Sequence, residues 1–146
     1  MKMPVDPHNI AALVPHDGLM CLIDQIIDHS SETISCRALV HHDCHPLARN
    51  GKLPSVVAIE YGAQTCAIHG ALIASANPSR PGVLVKIADT ELDGLPLSAE
   101  DNPLTITAQR LSSNSQSCLY NFEVSTPLRR LAKGTLMIAF TDSNTD

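Results

Sequence analysis

Apolar residues enter this chain in two rhythms. In ETISCRALVHH, Ile34, Cys36, Ala38 and Val40 fall on one face and Thr33, Ser35 and Arg37 on the other, the period-two pattern of a half-buried strand. Ser117 to Ser125 repeats it, with Cys118, Tyr120, Phe122 and Val124 against Leu119, Asn121 and Glu123. Val83 to Asp89, Leu104 to Leu111 and Leu131 to Thr141 read as further strands, with SSNSQ and TPLRR as turns. Upstream, GLMCLIDQIIDH is apolar nearly throughout and predicts a buried strand from about Leu19 to Ile27. SSE then turns the chain back into the alternating strand, making a hairpin.

The second rhythm is continuous. LPSVVAIEYGAQTCAIHGALIASA, Leu53 to Ala76, is too long for a strand and is dominated by Ala, Leu, Ile, Glu and Gln. Ser55 behind Pro54 suits a helix cap, and ANPSRPG closes the segment with two prolines and a glycine. DCHPLARNGKLPS before it reads as a loop, and DPHNIAALVPH as a short N-terminal helical turn capped by Asp6. A helix apolar around most of its circumference must be wrapped rather than covered on one side. The expectation is a single α+β domain over residues 1–146, with a curved antiparallel sheet of five or six strands around one long central helix. The polar tail DSNTD is expected to fray, and no repeat or linker interrupts the chain.

Composition narrows the function classes. With two Phe, two Tyr and no Trp, a base-stacking surface is not expected, and a net charge of −5 argues against nucleic acid as partner. Five cysteines, an odd number without CxxC spacing, support neither a disulfide framework nor a zinc site. MKMPVDPHNI lacks the apolar core of a secretory signal, and Glu60, Gln64 and His69 make the long apolar segment a poor membrane span. A cytoplasmic protein with reduced thiols is the expectation.

Two motifs carry a resemblance. LVPHDGLMCLIDQIID resembles the opening signature LPHRxPxLLVDRV of the hotdog-fold 3-hydroxyacyl-[acyl-carrier-protein] dehydratases, matching at Val14-Pro15-His16 and Leu22-Ile23-Asp24. LPSVVAIEYGAQ resembles that family's helix-start pattern xPGVLxxExxAQ at Pro54, Val56, Glu60, Ala63 and Gln64. MCLIDQ, NGKLPSVVAIEYGAQ and IHGAL look most like the divergent dehydratase-like proteins of aryl polyene biosynthesis. The resemblance implies a hotdog fold and a homodimer or heterodimer with acyl tunnels at the subunit interface. It further implies a helix carboxylate working with a histidine from the partner subunit, and removal of water from a 3-hydroxyacyl thioester to give the trans-2-enoyl product. No metal or organic cofactor is implied; the substrate rides on the phosphopantetheine of an acyl carrier protein.

Elimination needs an acid for the leaving hydroxyl, a base for the C2 proton and donors for the thioester oxygen. On this reading Glu60 is the acid, since apolar surroundings favour a protonated carboxyl. The amides of Ser55 and Val56 at the helix start suit the oxygen, and Gln64, four residues after Glu60, shares its face. A purely structural carboxylate, satisfied by backbone or by a partner arginine, is the alternative for Glu60. The base is harder to place, because the family's GHFP is missing. Its position falls on Pro46, which makes the neighbouring His45 the candidate; another alignment puts Gly51 there, and His41 and His42 follow. His69, nine residues beyond Glu60, points to the opposite face as a core histidine. His16 is expected to fix the approach to the first strand, and Cys66 lacks a base partner. Three histidines with Asp43 and Cys44 lack the spacing of a metal site. Arg49 and Lys52, and Arg129, Arg130 and Lys133, are candidate contacts for an acidic carrier. A non-catalytic subunit supporting an active dehydratase, and an acyl thioesterase, are the rival functions.

Overall fold

The computed structural model describes residues 21–41, 45–73 and 82–140. The N-terminal helical turn, the PHD part of the opening motif with His16, the tail, and His42, Asp43 and Cys44 lie outside these residues. One helix and six strands follow in the order β1 (Gln25–His29), β2 (Thr33–Ala38), α1 (Val57–Ile73), β3 (Gly82–Leu92), β4 (Leu104–Ser113), β5 (Ser117–Ser125) and β6 (Arg130–Phe140). The strands form one antiparallel sheet ordered β1-β2-β4-β5-β6-β3. It curves around α1, which touches every strand from β2 to β6. This is the hotdog arrangement the apolar helix called for.

Alternation decides which side chains face the helix. Ile34, Cys36 and Ala38 of β2, Leu104, Ile106 and Ala108 of β4, and Cys118, Tyr120, Phe122 and Val124 of β5 are buried, while Thr105, Thr107, Asn121 and Glu123 point outward. α1 has no single apolar stripe because Val57, Ala58, Tyr61 to Cys66, Ile68, His69 and Gly70 are all buried. Gly62 is the point of closest approach, since a Cβ there would overlap the Phe122 ring. The same ring lies 3.0 Å from a Cβ built on Gly134 of β6, so Phe122 is wedged between two glycines. No helix among the described residues is long and apolar enough to cross a membrane.

Two expectations need correction. The first strand runs over Gln25–His29 rather than from Leu19 to Ile27. Leu22 and Ile23 are buried, but the Leu22 N–H donates to the Gln64 side chain instead of a strand partner. Apolar content marked burial there, not strand. At the helix start, the Ser55 carbonyl rather than its hydroxyl does the capping. The carbonyls of Pro54, Ser55 and Val56 accept from Val57, Ala58 and Ile59 at 3.0 Å each, a tight 3₁₀ turn leading into α1.

Candidate functional site

The start of α1 is presented by a tight hairpin. Arg49 and Lys52 exchange both backbone hydrogen bonds, at 2.7 and 3.0 Å, across Asn50 and Gly51. Both central residues have positive φ (52° and 74°), the type I′ geometry for which Asn-Gly is suited. The chain then passes Leu53, whose carbonyl accepts from Leu97 N–H at 2.9 Å, and reaches Pro54-Ser55-Val56. The N–H groups of Ser55 and Val56 precede the first helical hydrogen bonds, and neither donates to any described residue. Val56 is 54% exposed and Ser55 half-buried, so this turn reaches the protein surface.

Glu60 lies one turn into α1, half-buried. Gln64 Nε2 donates to Glu60 Oε1 at 3.1 Å, and Gln64 Oε1 accepts from Leu22 N–H at 2.9 Å. The second contact fixes which way the buried amide is turned, so Gln64 must present its NH₂ to the carboxylate. Gln64 thus links the opening motif to Glu60. In that motif Asp24 Oδ2 accepts from Leu39 N–H at 2.7 Å, tying it to the end of β2.

His45 is buried and is brought to Tyr61, the residue after Glu60, with Nε2 3.0 Å from the phenolic oxygen. Leu47 N–H donates to His45 Nδ1 at 3.1 Å. A nitrogen that accepts a backbone N–H carries no proton, so the neutral ring holds its proton on Nε2 and donates it to Tyr61. In this tautomer neither nitrogen is a waiting base. Burial, then the charge of Asp24, pushes the Tyr61 phenol further up and keeps it protonated.

The other sequence candidates separate cleanly. His69 is fully buried, with Nε2–H donating to the Ser30 carbonyl and Nδ1 accepting from Tyr120, both at 2.8 Å. Burial lowers its pKa and favours this neutral form. His41 is exposed just beyond β2. Cys66 is buried among Cys36 and Cys118, and burial raises its thiol, so no thiolate nucleophile forms there. Arg129 is not a free docking cation: its Nε and Nη2 grip Asp101 at 3.2 and 2.8 Å, and Nη1 pairs with Asp93. Lys133 pairs with Glu91 at 3.4 Å. Arg49 and Lys52 remain exposed at the hairpin and form no ion pair among the described residues. A groove of about 620 Å³ lies on the outer face of the sheet, lined by Thr107, Gln109, Asn121, Glu123 and Lys133, away from Glu60.

Sequence reasoning missed Tyr61 and the Arg129–Asp101 pair. Tyr61 had a signal, as an aromatic residue next to the lone helix carboxylate; the ion pair joins residues 28 apart and had none.

A search of curated protein sequences found no match. Among solved structures, a chain of the dehydratase heterocomplex ApeI:P from Xenorhabdus doucetiae superposes with a TM-score of 0.80 at 20% identity, covering 92% of this chain and 91% of that one. A thioesterase from Haemophilus influenzae gives 0.69 at 14% identity, covering 97% and 94%. A hypothetical thioesterase from Streptococcus pneumoniae, solved with coenzyme A, gives 0.59 at 13%, covering 82% and 87%. At these identities the likeness establishes the shared hotdog fold. The family profile described as ApeP dehydratase matches residues 8–145, nearly the whole sequence, and the chain therefore belongs to the ApeP-like dehydratase family.

Proposed function

We propose that this chain supplies the acid half of a composite dehydratase site that removes water from a 3-hydroxyacyl thioester carried on an acyl carrier protein. The observation that carries the reading is the Glu60 carboxylate, oriented by Gln64 one turn into α1 and close in sequence to two amides that donate to no described residue. The thioester oxygen accepts from the Ser55 and Val56 N–H groups, which lowers the barrier to losing the C2 proton. Glu60 Oε1 accepts from Gln64, which fixes the orientation of the carboxyl. A proton from Glu60 goes to the C3 hydroxyl, which leaves as water; the C2 proton passes to a base, and the electron pair left on C2 forms the C2–C3 double bond.

Since His45 keeps its proton on Nε2 and holds Tyr61, the base comes from a second hotdog subunit, as the family resemblance implies. β3 supports such a partner. It is an eleven-residue edge strand with exposed Leu84, Val85, Ile87 and Leu92, an apolar border without a neighbour among the described residues. The ApeI:P heterocomplex is the precedent for two different subunits. Arg49 and Lys52, held on the rigid hairpin, offer positive charge to an acidic carrier. The tautomer of His45 also favours a second reading, in which the chain only supports the active subunit.

The two readings part on Glu60. The purified chain, alone and with its dehydratase partner, is given a 3-hydroxyacyl carrier thioester and the products are followed by mass. Loss of water is expected with the partner present. Glu60→Gln keeps an oxygen for Gln64 and is expected to lower kcat by about a hundredfold or more. Normal turnover by the Glu60→Gln complex assigns the chain a supporting role, and release of free acid makes it a thioesterase.

A further inference from the structure

The segment between β3 and β4 touches both approaches to the candidate site. Asn102 Oδ1 accepts from Val40 N–H at 2.7 Å, and its Nδ2 donates to the Val40 carbonyl at 3.3 Å. One side-chain amide thereby satisfies both backbone groups of a buried residue that has left the sheet. Val40 follows Leu39, whose N–H holds Asp24 in the segment that bonds Gln64 through Leu22. Five residues before Asn102, Leu97 N–H donates to the carbonyl of Leu53, which leads into Ser55 and Val56.

What holds Leu97 and Asn102 at their spacing is Asp101. Its side chain is 2% exposed; Oδ2 accepts from Ser98 N–H at 2.8 Å and from Ser98 Oγ–H at 3.3 Å. Arg129, in the turn between β5 and β6, closes the structure: it grips Asp101 with two nitrogens, donates from Nη2 to the Pro96 carbonyl at 3.1 Å, and pairs with Asp93. A planar guanidinium with donors in fixed directions suits three such contacts at once, which a lysine does not.

We infer that Asn102, Asp101 and Arg129 are positioning residues, a brace that sets the end of β2, and through Asp24 the segment holding Gln64, against the arm carrying the Ser55 and Val56 amides. The inference rests on the proposed dehydratase site but has a readout of its own. In wild type and Asn102→Ala, amide hydrogen exchange is measured in the complex with the partner subunit, together with kcat and KM. Exchange is expected to speed up by about tenfold at Leu39, Val40 and Val57 while Cys66 and Ile68 in the middle of α1 stay unchanged, the mark of local opening. The value of kcat falls by about tenfold to a hundredfold with KM nearly constant, as a misplaced site requires. Arg129→Lys gives a smaller change of the same kind. Unchanged exchange at Leu39 and Val57, or an equal rise in the middle of α1, overturns the brace. A wild-type complex without turnover refutes the dehydratase reading alone, and the exchange pattern still decides the brace.

Discussion

His69 commits both ring nitrogens inside the core, one to a carbonyl and one to a phenol, and this makes it a pH-dependent part of the fold. Its pKa is lowered in the folded chain, chiefly by burial, so the unfolded chain binds the proton more readily. The stability it contributes is therefore complete above about pH 6.5 and is lost as pH falls through the lowered folded value. His69→Gln is expected to cost about 1 to 2 kcal/mol at pH 7.5, through loss of a buried hydrogen bond. Urea unfolding at pH 7.5 and 5.5 checks the sign: wild type loses more stability on acidification than the variant. Equal losses mean that another group titrates. The contrast with Glu60 is one of burial: both interrupt the same apolar run and both are hydrogen-bonded within the protein, yet His69 is fully buried while Glu60 is half-buried.

At the scale of elements, α1 and β5 meet through Gly62 and Phe122. Gly62→Ala is expected to cost about 1 to 3 kcal/mol in chemical denaturation, because the added methyl meets a ring already held on its other side by Gly134. Adding Phe122→Leu to that variant is expected to return part of the loss, a coupling that independent sites would not show. Elements were legible where one residue's environment repeats at fixed spacing. β5 ends where its alternation ends, and α1 announced itself by an apolar run too long for a strand. β1 was misplaced because Leu22 and Ile23 are buried in the core outside the sheet, with the Leu22 N–H bonded to the Gln64 side chain, an arrangement that leaves no period in the sequence. The site divides in the same way. Glu60 and Gln64 are four residues apart on one helix and could be read directly. The Asn102 contact to Val40 spans 62 residues and the His45 contact to Tyr61 spans 16, so neither exists until the sheet has closed around the helix.

For the whole molecule, the sheet's two borders differ. β3 has eleven residues, with register shifts at Leu84/Lys86 and Ala88/Glu91, and carries Val85 at 54% and Ile87 at 41% exposure, whereas β1 has five residues and a bulge between Ile26 and Asp28. Ile87→Lys is expected to leave the fold of the single chain intact, since the residue is already partly solvated, and to weaken association with a second hotdog subunit by about thirtyfold or more. Sedimentation of the mixture, beside circular dichroism of the chain alone, measures both; undiminished association places the interface elsewhere. Length, rather than regularity, has a consequence of its own, since both border strands carry register shifts. Five residues offer few backbone groups to a newcomer, so among the described residues β3 is the longer edge for another strand to join. On the proposed pairing, a second subunit laid on β3 covers the longer edge and, with it, the apolar rim that makes a lone chain prone to aggregate.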